Sequence, residues 1–200
     1  MILIGSYESP FVRRVAVTML LYGMTYEHRP YNTFPDRERI RPFNPLGRIP
    51  ALVLDDGDVL TDSGVILDHL DQLVGPERAL TPVGPARRSV NQIVALADGT
   101  MDKYVAAYYE RNKRPAAFTY QPWLEHLEGQ VAAGLAALDA NSLTPWLCGE
   151  KLTQADVSTA IAIEAIRFDM AHLAPAGRYP TLEALAAQAA KLPAFQQTVF

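Results

Sequence analysis

The first 75 residues alternate between short apolar runs and longer segments with apolar residues at helical spacing. Residues 1–5, MILIG, are short, apolar and ended by Gly5, a pattern that predicts a buried strand. Apolar residues then recur three or four positions apart, which predicts a helix ending near Gly23. These residues are Phe11, Val12, Val15, Ala16 and Met19.

Four further elements are predicted before residue 75. Residues 25–29 are a possible second strand, and residues 35–47 predict a short polar helix followed by a loop rich in Pro and Gly. Residues 50–62 predict two strands joined by an Asp-Gly turn, a strong hairpin signal. A third helix begins at Asp62. The predicted order is therefore β-α-β-α-β-β-α.

The second half of the chain lacks a convincing strand pattern. Residues 76–85 are rich in Gly and Pro and predict a linker between a first domain, 1–75, and a second domain, 86–200. Four helical patterns follow the linker, which predicts an all-helical bundle. They cover residues 86–111, 117–140, 152–173 and 180–192.

Composition and charge narrow the class of protein. Hydrophobic residues make up 49% of the 200, which favours a packed globular chain over a disordered one. The net charge of −4 argues against nucleic acid or an anionic membrane surface as partner. We find no long apolar span, no signal peptide and a single cysteine, Cys148. These features favour a cytoplasmic protein without metal, since no His or Cys cluster is present.

Several polar residues stand where helices begin. Ser9, followed by proline, and Asp62 are each suitable N-caps. Thr153 and Asp156 predict a capping box in which Asp replaces the usual Glu or Gln. Cys148, among apolar residues, is expected to be a buried small hydrophobe.

Three motifs together resemble the cytosolic glutathione transferases. They are SPFVRRV, NPLGRIPALVLDDGDVLTDSGVILDHL and WLCGEKLTQADVSTAIA, and they occur in the family's order across nearly the whole chain. The likeness is greatest to small bacterial members, and the Ser-Pro-Phe start is similar to that of the plant tau class. The resemblance implies an N-terminal thioredoxin-like domain followed by an all-helical domain, α/β plus all-α, usually in a homodimer.

The resemblance assigns the catalytic hydroxyl to Ser9. In serine-type members the residue at this place donates a hydrogen bond to the sulfur of glutathione. A helix N-terminus and a hydroxyl donor both favour a thiolate, so one serine can cap the helix and also stabilise the sulfur anion. Tyr7 and Ser6 are rivals for this role, since some classes use a tyrosine near the end of the first strand. A plain helix cap is the remaining alternative for Ser9.

The same resemblance implies a glutathione site in the first domain. A cis Pro50 would leave the backbone of Ile49 free to pair with the cysteinyl part of glutathione. Asp62 and Ser63 would bind the γ-glutamyl ammonium and carboxylate. Arg48 would pair with the glycyl carboxylate or be a solvated loop charge. Arg13 and Arg14 are expected to be surface or interdomain charges.

The implied activity is conjugation of glutathione, the co-substrate, to a small hydrophobic electrophile, as in detoxification. Met101, Tyr104 and Tyr108 share one face of the long helix and would line the electrophile pocket, although such a stripe is more often core. The alternatives are a glutathione-dependent peroxidase or isomerase and a non-catalytic binding or regulatory protein. A thiol–disulfide reductase or dehalogenase of this fold carries cysteine where Ser9 stands, which argues against that chemistry.

Overall fold

The computed structural model describes residues 1–199 and divides into two compact units. The first contains Met1–Val83 together with the residues from Ala190 onwards, and the second is Gly84–Ala189.

The first unit is built on a four-stranded mixed sheet in the order β2-β1-β3-β4. Its strands are β1 (Ile2–Ile4), β2 (Glu27–Arg29), β3 (Ala51–Val53) and β4 (Val59–Thr61). β1 pairs parallel to β2 and antiparallel to β3, with Ile4 opposite Arg29 and Ala51. Leu3 and Ile4 have no exposed surface, as expected for a central strand without polar positions.

The helices of this unit are α1 (Pro10–Leu21), α2 (Arg37–Ile40), α3 (Ser63–Val74) and the short α8 (Pro193–Gln196). The predicted order β-α-β-α-β-β-α is confirmed as far as Val74, so this half is thioredoxin-like. The sequence does not predict α8, a single turn whose Ala194 and Phe195 are buried within the first unit.

Part of the predicted linker is packed rather than free. The side chains of Leu80 and Thr81 are both buried. The hydroxyl of Tyr22 accepts a hydrogen bond from the Leu80 N–H at 2.6 Å and donates one to the buried Asp71 carboxylate. Burial and the bond to Asp71 raise the pKa of Tyr22, so this hydroxyl remains protonated and keeps the linker attached to the first unit.

The second unit is all-helical. Its helices are α4 (Ala86–Asn112), α5 (Gln121–Asp139), α6 (Gln154–Asp169) and α7 (Pro180–Ala189), with a 3₁₀ turn at Ala116–Phe118. α6 is buried along almost its whole length and packs on α4 and α7, which makes it the central helix of this bundle. Within residues 1–199 no helix has the length and hydropathy needed to cross a bilayer.

Close packing of α4 on α5 depends on Gly134. A Cβ added there would lie 2.1 Å from Thr100 Oγ1, which is held by a hydrogen bond to the Leu96 carbonyl at 2.7 Å. We expect Gly134→Ala to lower the free energy of unfolding by about 1–3 kcal/mol through overpacking, measured by urea denaturation.

Gly129 on the same helix is the matched control. Nothing lies within 4 Å of a Cβ added at Gly129. Gly129→Ala should therefore stabilise α5 by up to about 1 kcal/mol through helix propensity. Adding Thr100→Ala should restore most of the stability lost by Gly134→Ala. Equal effects at both glycines would contradict the packing argument.

Candidate functional site

Gly5 brings two predicted parts of the site together at the end of β1. It has a φ of +127°, and a Cβ there would lie 2.6 Å from Val12 Cγ2 in α1 and 2.8 Å from Ile49 Cβ. No side chain can occupy this space without moving α1 or the loop before β3. The start of α1 and Ile49 are therefore packed around the same backbone position.

Ser9 is the N-cap of α1, as the sequence predicts. Its backbone is extended, with φ −79° and ψ 120°, and its Oγ accepts a long hydrogen bond of 3.4 Å from the Val12 N–H. Pro10 occupies the first helical position, where an N–H is not needed. The side chain of Ser9 is half-buried, and its hydroxyl hydrogen is not used by the Val12 contact.

Tyr7, the rival of Ser9, is engaged elsewhere. Its hydroxyl lies 2.8 Å from the Tyr26 hydroxyl, and its ring stacks on His28 with centroids 4.0 Å apart. His28 Nε2 lies 2.8 Å from the Gly5 carbonyl oxygen. Burial, reinforced by the bond to Tyr7, raises the pKa of Tyr26. The Tyr26 hydroxyl is therefore protonated, and the Tyr7 side chain is held by its contacts with Tyr26 and His28.

The loop before β3 is ordered by Asn44, a buried residue that the sequence analysis does not single out. Its Nδ2 donates to the Arg48 carbonyl at 3.0 Å, and its Oδ1 accepts from the Leu46 N–H at 3.0 Å. The expected cis peptide bond between Ile49 and Pro50 is confirmed. Within residues 1–199 no hydrogen bond engages the N–H or C=O of Ile49. Arg48 is exposed.

Asp62 begins α3 in a strained conformation. It has φ 72°, and it is the sole non-glycine residue with positive φ in the described part of the chain. Its Oδ1 accepts from the Gly64 N–H at 2.8 Å, which confirms it as the N-cap. The carboxylate remains exposed. Such strain persists only where the surroundings impose it and is commonest at functional sites.

Ser63, the first residue of α3, is 2% exposed. Its Oγ accepts a hydrogen bond of 2.7 Å from Arg14 Nη2. Asp62 and Ser63 therefore differ: the first presents a carboxylate to solvent and the second joins α3 to α1.

The expectation that Arg13 and Arg14 are surface charges is wrong. They are 3% and 2% exposed, and both contact elements of the first unit. The Arg13 guanidinium lies 5.7 Å from the centre of the Phe195 ring in α8, while Arg14 bonds to Ser63. α1 packs on α3 and on α8, so positions outside its apolar stripe are covered as well.

The predicted electrophile-pocket residues lie in the second unit and differ in exposure. Met101 has no exposed surface, and Tyr104 is buried with its hydroxyl bonded to the Asp169 carboxylate. Burial and this bond raise the pKa of Tyr104. Tyr108 is half-buried. Met101 and Tyr104 thus serve the packing of α4, and Tyr108 is the one of the three with accessible surface.

Two remaining predictions concern the start of α6. The capping box of Thr153 and Asp156 is confirmed, with the Thr153 N–H donating to the Asp156 carboxylate at 2.8 Å. Burial raises the pKa of Asp156, and donors from Leu147 and Thr153 act in the opposite direction. Cys148 is half-buried rather than buried, because it lies in the irregular segment before α6. Burial and the nearby Asp156 raise its thiol pKa.

Among residues 1–199 no group of three or more His, Cys, Asp or Glu side chains is arranged to hold a metal ion.

Two family models match the chain. The N-terminal domain of glutathione S-transferase matches residues 3–78, and the C-terminal domain matches residues 98–197. The chain is 32% identical to the GST-like protein YibF of Escherichia coli, over 83% of this chain and 82% of that protein. It is 30% identical to a maleylacetoacetate isomerase of Pseudomonas aeruginosa, over 96% of this chain and 92% of that protein.

Solved structures agree with these relatives. A glutathione transferase family member from Pseudomonas fluorescens, crystallised with bound glutathione, superposes with a TM-score of 0.90 at 32% identity. The match covers 98% of this chain and 97% of that one. A glutathione S-transferase from Methylobacillus flagellatus, also with glutathione bound, gives a TM-score of 0.91 at 30% identity, over 99% and 98% of the two chains.

Proposed function

This chain belongs to the glutathione S-transferase family, and from that premise we propose that it activates glutathione for conjugation to a small hydrophobic electrophile. The observation that carries the proposal is the placement of Ser9, a half-buried hydroxyl at the N-terminus of α1 beside the end of β1. Glutathione is the co-substrate, and the residues proposed to bind it all belong to the first unit.

The proposed role of Ser9 is to hold a thiolate. A free cysteine thiol has a pKa of about 8.5 and is mostly protonated at neutral pH. Ser9 Oγ accepts from Val12, which leaves its own hydrogen to donate to the sulfur. The N-terminus of α1 adds a partial positive charge. The thiol proton leaves to solvent, and the sulfur then forms a bond to the electrophilic carbon. In a substitution a leaving group departs with its electron pair; in an addition the π-electron pair shifts to the neighbouring atom, which takes up a proton from solvent.

The proposed role of Ile49 is to bind the peptide part of glutathione through its backbone. Its N–H and C=O have no hydrogen-bond partner within the described residues, and they directly precede Pro50 and β3. An extended peptide can pair with such groups like an added strand. Asn44 supports this role because its bonds to Leu46 and Arg48 hold the loop in place. Arg48, next to Ile49 and exposed, is proposed to pair with the glycyl carboxylate.

Asp62 and Ser63 are proposed to recognise the γ-glutamyl zwitterion. The exposed carboxylate of Asp62 suits the ammonium group, and the strained backbone of this residue indicates a position set by function. The hydroxyl and N–H of Ser63, at the start of α3, suit the carboxylate. An acid and a set of donors side by side discriminate this zwitterion from a simple anion.

The second unit is proposed to supply the electrophile pocket. Tyr108 carries this role most directly, since Met101 and Tyr104 would need to become exposed to contact a substrate. The protein is further proposed to act as a cytoplasmic homodimer, an assembly and location in keeping with the family it belongs to.

Asp62→Asn tests the glutathione site. Asn tolerates positive φ and can still accept from the Gly64 N–H, so we expect the stability of the protein to be unchanged. Glutathione should bind about tenfold more weakly, because a charge-assisted hydrogen bond to the ammonium is replaced by a neutral one. Isothermal titration calorimetry measures the dissociation constant.

The control for this variant is Asp68→Asn, which removes an exposed acid from the same helix. Its affinity for glutathione should equal that of the wild type. A loss of equal size in both variants would point to the net charge of α3 rather than to a specific contact. Failure of the wild type to bind glutathione would refute the proposed function itself.

An isomerase is the second candidate, favoured by the relative from Pseudomonas aeruginosa with its nearly full-length match. The same thiolate would add to a carbon–carbon double bond and depart after rotation, so glutathione is regenerated. Assays with chlorodinitrobenzene and with maleylacetoacetate separate the two activities. Consumption of glutathione with the first substrate supports the transferase, and turnover of the second without consumption supports the isomerase. Binding of glutathione with neither reaction supports a non-catalytic role.

A further inference from the structure

A buried guanidinium lies directly behind one of the proposed ligand-binding residues. Arg14, in the second turn of α1, is 2% exposed and donates from Nη2 to Ser63 Oγ at 2.7 Å. The two residues are 49 positions apart in sequence. The Arg14 guanidinium also lies 5.8 Å from the centre of the Phe11 ring. Burying a charge is costly, so its direction towards Ser63 calls for an explanation.

We propose that Arg14 is a positioning residue that prepares Ser63 to bind the γ-glutamyl carboxylate, an inference that rests on the proposed glutathione site. A serine hydroxyl has one donor hydrogen and two acceptor lone pairs, whereas a guanidinium can only donate. Arg14 therefore occupies a lone pair of Ser63 Oγ, and the hydroxyl hydrogen must point away from the guanidinium. The hydroxyl hydrogen is then available to an acceptor other than Arg14, such as a carboxylate of the ligand.

The position of Ser63 decides what such a donor can bind. Ser63 is the first residue of α3, where backbone N–H groups have no partner within the helix and carry a partial positive charge. A carboxylate placed there accepts from the N–H groups and from the oriented hydroxyl together.

The proposed role of Arg14 affects the binding of glutathione and not the formation of its thiolate. The Arg14–Ser63 bond is proposed to affect binding of the γ-glutamyl carboxylate, whereas Ser9 is proposed to act on the sulfur. Loss of Arg14 should therefore raise the KM for glutathione more than it lowers kcat, and it should leave the pKa of the bound thiol close to its wild-type value. A general distortion of α1 would change both.

The test compares two ligands by calorimetry. One is glutathione, and the other is γ-aminobutyryl-cysteinyl-glycine, which keeps the ammonium group but lacks the carboxylate proposed to contact Ser63. Arg14→Gln should bind glutathione about tenfold more weakly than the wild type, the size expected for one charge-assisted contact. Its affinity for the analogue should be unchanged. Equal weakening towards both ligands would overturn the inference.

Arg13→Gln is the matched control, since Arg13 is adjacent and equally buried but contacts Phe195. It should lose stability without losing the preference for glutathione over the analogue. The double variant Arg14→Gln/Ser63→Ala should bind glutathione no more weakly than Ser63→Ala alone, because both changes remove the same contact. Additive losses would contradict a role through Ser63.

Two further variants keep the inference testable if Arg14→Gln does not fold. Arg14→Lys keeps the charge but not the planar fork, and it should show an intermediate preference for glutathione. Ser63→Ala leaves Arg14 in place and should reduce the preference at least as much as Arg14→Gln does; if its preference equals that of the wild type, the inference fails. A wild type that does not bind glutathione refutes the proposed function, whereas normal binding with an unchanged preference in the variants refutes only the role of Arg14.

Discussion

Replacing Ser9 by alanine is expected to raise the pKa of the bound glutathione thiol by about one to two units, since a charge-assisted hydrogen bond is worth roughly 1.5–3 kcal/mol. At a pH below both pKa values, the thiolate fraction should then fall about ten- to a hundredfold, and the rate of conjugation with it. The ultraviolet absorbance of the thiolate, followed against pH in the wild type and in Ser9→Ala, measures the shift directly.

The same substitution also removes a helix cap, and the two effects must be separated. Loss of a serine N-cap costs about 0.5–2 kcal/mol of stability, and the 3.4 Å contact to Val12 places Ser9 at the low end. Ser9→Gly keeps most of the capping preference but has no hydroxyl. It should retain stability and show the same rise in thiol pKa as Ser9→Ala.

Ser9→Asp keeps a helix cap but places a negative charge beside the sulfur. Aspartate is a good N-cap, so α1 should be as stable as in the wild type. Its negative charge next to the sulfur should raise the thiol pKa further than alanine does. Ser6→Ala, which removes a hydroxyl that accepts from the Glu8 N–H at 3.3 Å, should leave the thiol unchanged. If glutathione binds as a thiol in all these proteins and in the wild type, Ser9 is only a cap.

The elements of the fold could be predicted from the sequence because their signals are local. Short apolar runs gave β1 and β3, helical spacing gave α1 and α3, and an Asp-Gly turn gave the hairpin between β3 and β4. The short α8 could not be predicted, since a single turn with two buried residues has no periodic pattern. Its burial depends on its place in the first unit, which no local pattern reports.

In the candidate site, too, features formed by neighbouring residues could be predicted, whereas contacts between residues far apart in sequence could not. Caps are formed between residues two or three apart, so Ser9, Asp62 and Thr153 were recognisable before the fold was known. The bond from Arg14 to Ser63 joins two helices that are far apart in sequence, and two neighbouring arginines next to an apolar stripe suggest solvent exposure. Asn44 had a weak signal, as an asparagine before proline in a loop, but its partners were not visible in sequence.

Asp156→Ala is expected to lower the free energy of unfolding by about 3–5 kcal/mol, the cost of breaking a buried polar network by removing one partner. Asp156 is 1% exposed and accepts from the Leu147 N–H at 2.7 Å and from the N–H and hydroxyl of Thr153, both at 2.8 Å. Alanine leaves both N–H groups buried without an acceptor. Since small domains have about 5–15 kcal/mol of stability in total, much of the protein should be unfolded near 37 °C. Thermal and urea denaturation measure the loss.

Two milder variants show whether the whole hydrogen-bond network of Asp156 or helix capping alone accounts for the loss of stability. Asp156→Asn keeps one oxygen acceptor and should lose less stability than alanine, while Thr153→Ala removes a single hydroxyl and should cost about 1 kcal/mol. Asp156 belongs to the helical unit and the proposed glutathione residues to the other, so the folded fraction of Asp156→Ala should bind glutathione with wild-type affinity. A stable variant with weakened binding would reverse this assignment, because the carboxylate would then serve the ligand and not the fold.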